Sequence, residues 1–513
     1  MRGSIWRGAA ILMLASLLNR VISFAYRILV VRFIGVEGMG LYEMVFPFYS
    51  LVLMLATAGV PVALAKLTAE RVTLQAWGKV RSIFRLSLIF LAASGLLAAL
   101  SLWFLAPWLT GRVFADTRVY PAFKVMLLAV PLVAVCSAFR GYFQGWQLMS
   151  PVALAQVSEQ VVRVGSGLLL GLHFLPYGVA MAAAGLAMGM VLGELAGLVI
   201  SVVIFWQARP YDDVAAGQVS SIKLDILPLF RLALPVMAAR AAGGIMLTLE
   251  ALLIPRQLQQ WGATVAEATA IYGQYAGIAL TLIYLPMIIT VAVAMAMVPA
   301  IAEAQAQKDD LMLTRRCRQA LKLTLLSGLP FAVVFYLLAA PLCGLIFSTP
   351  EAGVALKTLA LGSIFIYLEQ TTIGILNGLG AMGTVLRATI VGGIVDMLGI
   401  YFLTPVFGIA GAALGVNLSC AAVTIYNLMA LIRHTPLRLD GATFIYRPLA
   451  AAAGLGLAVW FFWGALAAVP ETWRLIQTIS GGAIVYLLIL FGSGAVSPRH
   501  LYSFPWPGPR QGR

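Results

Sequence analysis

Between residues 8 and 494 the sequence holds fourteen apolar stretches of roughly twenty residues or more, parted by short polar turns. Fourteen such stretches cannot be folded away inside a water-soluble shell. They fit a bilayer, where each satisfies its own backbone hydrogen bonds as a helix. Composition agrees, with 62% apolar and only 10% charged residues, against about a quarter charged in an ordinary soluble domain. The two-residue alternation of a porin-type barrel is not seen. The expected fold is an all-α integral membrane protein with about 14 transmembrane helices. Arg2 and Arg7 ahead of the first apolar run imitate a secretion signal, but that run is too long for one and contains Arg20 and Arg27, so it reads as a retained first span.

A net charge of +15 raises the question of nucleic acid. The basic residues are scattered between spans with no basic run interleaved with aromatics, so the charge reads as topological and no nucleic-acid partner is expected. Lys79, Arg81, Arg209, Arg315, Arg316 and Arg318 fall in loops on one side, while the other side holds only a few cations, among them Arg112, Arg118 and Arg256. The positive-inside rule then puts both termini in the cytoplasm. Cys136, Cys317, Cys343 and Cys420 and the isolated His173, His434 and His500 show no metal spacing. No metal, no cofactor and no catalytic constellation is expected, and the chain does not read as an enzyme.

The chain repeats itself. GVAMAAAG at 178–185 matches GIAGAALG at 408–415, an offset of 230, and Gly141-Tyr-Phe-Gln-Gly145 matches Gly374-Ile-Leu-Asn-Gly378 at an offset of 233. Each pair occupies the same helix rank in its half, which implies two six-helix lobes in parallel repeat. The expected division is an N-lobe over 1–208 (helices 1–6), a cytoplasmic linker over 209–224, a C-lobe over 225–434 (helices 7–12), two further helices over 446–494 and a cytoplasmic tail over 495–513.

Charges inside spans carry the functional signal, because each costs about 2.5–3.5 kcal/mol at the membrane centre unless a cavity or partner receives it. Arg20 and Arg27 lie seven residues apart on one face of the first span, which has no acidic residue of its own; they suggest an anion site, or pairing with a distant acid such as Glu250 or Glu369. Arg240 and Glu250 on the seventh span are further cavity candidates. Glu159 and Arg163, four apart on the fifth span, are set to pair, and with Glu369 and Asp396 they are candidates for charge pairing or ion coupling. Gly185, Gly189, Gly193 and Gly197 form a strip of small residues on the sixth span, read as helix packing or as a surface that slides during transport.

Leu18-Asn19-Arg20 with Arg27, Phe33-Ile34-Gly35 closing the first span, and two six-helix lobes plus two helices resemble the multidrug/oligosaccharidyl-lipid/polysaccharide (MOP) exporter superfamily. Ala58-Gly-Val-Pro61 leading into Ala65-Lys66, Val298-Pro299-Ala-Ile-Ala-Glu303 and Ile375-Leu-Asn377-Gly-Leu-Gly380 are similar to its polysaccharide biosynthesis and stage V sporulation protein B group, which is related to the lipid II flippases.

The resemblance implies a V-shaped transporter in the bacterial plasma membrane, surrounded by membrane lipids. Its substrate would be an undecaprenyl-pyrophosphate-linked oligosaccharide or cell-wall precursor, moved by alternating access. Arginines of helix 1 line the cavity of such flippases, and Arg20 and Arg27 match that position, although the flippases carry an Arg-Asp pair where this chain has Tyr26-Arg27. A monomer is the expectation, with the coupling ion left open. Two other readings stand beside it: a cation-coupled multidrug or metabolite exporter of the same superfamily, which would want carboxylates in the first lobe, and a non-transporting scaffold for cell-wall or spore-cortex assembly.

Overall fold

In the computed structural model, residues 2–207, 226–435, 444 and 446–493 are described; the side chains of 2–7, 9 and several positions between 226 and 240, including Arg240, lie outside the described residues, as do the linker 209–224 and the tail 495–513. The described chain is helical. Its helices are α1 (Arg2–Phe33), α2 (Val36–Thr57), α3 (Val60–Thr73), α4 (Trp77–Arg112), α5 (Tyr120–Gly145), α6 (Met149–Phe174), α7 (Val179–Gln207), α8 (Ile226–Trp261) and α9 (Val265–Gly273). After a π-helical segment at Gln274–Ala279 come α10 (Leu280–Ile283), α11 (Met287–Ala306), α12 (Asp310–Leu337), α13 (Ala339–Phe347) and α14 (Gly353–Gly378). The last four are α15 (Met382–Phe407), α16 (Ile409–His434), α17 (Arg447–Ala465) and α18 (Glu471–Gly492). Twelve helices or helix pairs among the described residues are long and apolar enough to cross a membrane. The long helices α6 and α8 occupy the remaining two of the fourteen positions read from the sequence.

Two expected spans are not single helices. The second breaks at Ala58 and Gly59, both with left-handed φ (48° and 72°), so α3 starts afresh with Pro61 in its first turn. Gly59 is the residue the break needs, because a Cβ there would lie 2.4 Å from the carbonyl oxygen of Ala233. The eighth span is divided into α9, the π segment, α10 and α11, with Pro286 capping α11.

The chain forms two compact units, residues 1–277 with 404–409, and residues 278–403 with 410–513. The first unit therefore includes α8 and α9, beyond the sequence-based N-lobe, because α8 packs on α2 and α3 and α9 packs on α2. Its core joins α3, α4 and α5 through Leu64, Ile83, Leu91 and Phe143. In the second unit Ile301, Leu321, Leu376 and Leu431 bring together α11, α12, α14 and α16. Cys136, Cys317 and Cys343 are buried free thiols in these interiors.

The sequence repeat recurs as contacts within each unit. A Cβ on Gly141 would lie 2.6 Å from the Pro61 carbonyl oxygen, and one on Gly374 would lie 2.6 Å from the Cα of Ala294. One turn on, Gly145 faces Thr68 at 2.5 Å and Gly378 faces Ile301 at 2.8 Å. Lys124 sits 4.6 Å over the Trp103 ring, and Lys357 sits 5.1 Å over the Tyr336 ring. Every partner in these pairs is displaced by 233 residues. Gly178 and Gly408, which open α7 and α16, both take positive φ (109° and 60°).

Candidate functional site

The glycine strip on α7 decides where the first unit's charges meet. Gly185, Gly189, Gly193 and Gly197 all face α6, and a Cβ on Gly189 would lie 2.2 Å from the Cα of Gly167. With no side chain between them the two backbones touch, as small residues allow in membrane helices. That approach carries Glu194 of α7 up to α6, where Arg163 Nη2 lies 2.6 Å from Glu194 Oε1 and 2.5 Å from Glu159 Oε1. From α5, Arg140 hydrogen-bonds Glu159 and stands 3.9 Å from Glu194 Oε2. Two arginines and two glutamates thus form a closed, charge-balanced cluster, the arrangement under which ionised groups persist away from water.

Beside this cluster α1, α2 and α6 surround a cavity of about 140 Å³. Its polar lining includes Tyr26 and Arg27 of α1, Tyr42 and Glu43 of α2, and Gln160 and Arg163 of α6; Val30, Met39, Phe46 and Leu186 supply apolar wall. Arg27 Nη2 pairs with Glu43 Oε1 at 2.8 Å, and its Nη1 donates to the carbonyl of Ala276 at 3.1 Å, inside the π segment. Such π turns, which interrupt the regular i to i−4 ladder, recur at functional sites. Gln160 Nε2 donates to Ser23 Oγ at 3.0 Å, joining α6 to α1. Tyr26 lines the cavity, while its hydroxyl is buried against Gly167 of α6, without a hydrogen-bond partner among the described residues. The wall therefore offers guanidinium, hydroxyl and amide donors around one carboxylate, a set suited to a group rich in acceptor oxygens.

The expected site residues divide sharply. Arg27 and Arg163 line this cavity, and Glu159 is one bond behind Arg163. Arg20 is exposed and lies outside the cavity lining: it shares a face with Arg27 but sits about 10 Å further along α1. Glu250 is half-buried on α8, and Arg240 has no described side chain. Glu369 is half-buried on α14 and Asp396 buried on α15, both in the second unit. Glu43, Arg140 and Glu194 are central here and were passed over in the sequence. Their signal was the same as Arg27's, a charge inside a span. Helix 1 does have an acidic partner, and α2 supplies it.

Fold and interior charge define a multi-pass helical membrane transporter. The sequence matches the polysaccharide biosynthesis protein family over residues 5–305 and the MatE family over 274–402. The stage V sporulation protein B of Bacillus subtilis (strain 168) is 30% identical over 94% of both chains, and the lipid II flippase MurJ of the same organism is 24% identical over 85% of this chain and 84% of that one. Among solved structures, a lipid II flippase MurJ in an inward closed conformation superposes with a TM-score of 0.70 at 14% identity, covering 94% of this chain and 98% of that one. The chain belongs to the polysaccharide biosynthesis protein family of the MOP superfamily; it is a membrane flippase or exporter, not an enzyme.

Proposed function

We propose that the protein moves an undecaprenyl-pyrophosphate-linked oligosaccharide or cell-wall precursor across the plasma membrane by alternating access, with Arg27 receiving the phosphate oxygens. The observation that carries this reading is the placement of Arg27 and Arg163 on one small cavity between α1, α2 and α6. Arginine meets phosphate with forked, charge-assisted hydrogen bonds. A cavity of about 140 Å³ is small beside the roughly 300–1,000 Å³ of pockets for drug-sized ligands, a size that suits a phosphate group and not a whole lipid-linked oligosaccharide. The sugar and the polyprenyl chain must lie elsewhere. Glu43 holds the place of the anion in this state, and an incoming phosphate takes Arg27 from it. The relatives named for sporulation and lipid II flipping support the same substrate class.

The second reading, a cation-coupled exporter, gains from Glu43, Glu159 and Glu194, because carboxylates in the first unit are what a cationic substrate or ion would need. All three are engaged by arginines, which favours the anionic substrate. Purified protein in liposomes separates the two. Flipping of a fluorescent undecaprenyl-pyrophosphate saccharide without efflux of a cationic dye fits the proposal; dye efflux without lipid flipping replaces it with the exporter.

A further inference from the structure

Two segments of the first unit run side by side from the Arg27 pair toward the face that the loop charges assign to the outside. On α2, Glu43, Gly40 and Glu37 succeed one another at three-residue steps, and opposite them come Ala276, Gly273 and Thr269. At the first level Arg27 joins Glu43 to the Ala276 carbonyl. At the second the backbones touch: a Cβ on Gly40 would lie 2.1 Å from the Thr269 carbonyl oxygen, and one on Gly273 would lie 2.0 Å from that of Val36. At the third, Thr269 Oγ1 donates to Asp116 Oδ2 at 2.8 Å, in the loop between α4 and α5.

That loop is fixed to the α2 side and gripped from the other. Arg118 forks onto Asp116 and reaches Glu37 Oε1 at 2.6 Å, which ties the loop to the start of α2. From α8, Arg256 Nη2 donates to the carbonyls of Arg112 and Val113 at 2.6 and 2.7 Å, and Gln259 Nε2 donates to that of Ala115 at 3.1 Å. The donors Arg256, Gln259 and Thr269 belong to the second sequence repeat, and every acceptor belongs to the first. Arg256 is exposed, so water can take over its bonds when the two sides part, which keeps release cheap.

We propose that the 112–118 loop and the donors Arg256, Gln259 and Thr269 form a latch that holds the seam between α2 and α9 shut on the outer side, and that it releases when the cavity beneath opens outward. Asp116, buried and oriented by Arg118, is the fixed keeper of the latch. This rests on the alternating-access reading, and its test needs no substrate.

The experiment is labelling by a membrane-impermeant maleimide added outside, in two single-cysteine proteins: one with Phe46→Cys in the cavity wall, the other keeping only the buried Cys136. Thr269→Val with Gln259→Ala should raise labelling at position 46 several-fold and leave Cys136 silent. Unchanged labelling at 46 overturns the latch. If Cys136 labels as well, the variant has lost its fold, and a second protein decides. Ala115→Cys with Gln259→Cys, oxidised, should abolish outside labelling at 46 and regain it on reduction; labelling indifferent to oxidation overturns the latch. A chain that passes this test but does not flip a lipid pyrophosphate keeps the latch and loses the substrate assignment.

Discussion

Arg27 Nη2 lies 2.8 Å from Glu43 Oε1, a bond that joins the first two helices across the wall of the cavity. Glu43 is 7% exposed, so removing Arg27 strands a carboxylate that has little access to water. Breaking one side of a buried pair costs about 3–5 kcal/mol, whereas removing both partners costs far less. Arg27→Ala should therefore destabilise the detergent-solubilised protein more than Arg27→Ala with Glu43→Ala. A double-mutant cycle on thermal unfolding measures the coupling, and additive effects would show that the pair does not hold α1 to α2.

The crossing of α6 and α7 has no room for a side chain at Gly189, where an added Cβ meets the Gly167 backbone. Gly189→Val should prevent correct assembly and reduce the yield of monodisperse protein. Gly165→Ala, on the same helix as Gly167 but with open space around it, should be silent. Size-exclusion chromatography of the two variants makes the comparison, and a well-behaved Gly189→Val would mean that the helices do not need this approach.

Cysteines at 112 or 256 should label from outside the cell, and cysteines at 79 or 315 should not. Each is read from the charge asymmetry of the loops. External labelling at 79 would reverse the topology and place the latch on the cytoplasmic side.

Burial pushes the Asp116 carboxyl up, but hydrogen bonds from the Arg118 side chain and backbone and from Thr269 outweigh it and hold the group below its usual value. A carboxyl depressed in the folded state adds stability above its unfolded pKa and loses it as pH falls through the folded one. The stability difference between the wild type and Asp116→Asn should be constant near neutral pH. It should shrink only once pH drops below about 4, the ordinary aspartate range. A difference that fades between about pH 7 and 5 would contradict the bonding of Asp116.

The spans were legible because length and hydropathy are local properties. Glu43 carries the same signal as Arg27, a charge inside a span, but nothing in the spacing of two different helices tells that α2, beginning at Val36, sets Glu43 against Arg27. Glu194 sat unnoticed within the glycine strip whose packing delivers it to Arg163. Helical periodicity placed Arg20 and Arg27 on one face, but a face is not a cavity; only the positions of α2 and α6 along α1 separate the arginine that lines the cavity from the one that does not. The repeat was visible in the glycines, and the Lys124 and Lys357 ring contacts repeat it with chemistry that no motif search on glycine would notice.

The most direct test of the account is the rate at which Arg27 variants flip a fluorescent undecaprenyl-pyrophosphate saccharide in proteoliposomes. A charge-assisted hydrogen bond is worth about 1.5–3 kcal/mol, so Arg27→Ala should slow flipping by roughly tenfold or more. Arg27→Lys should fall between it and the wild type, keeping the charge and losing the fork. Wild-type flipping by correctly folded Arg27→Ala would contradict the account and remove the phosphate from this cavity.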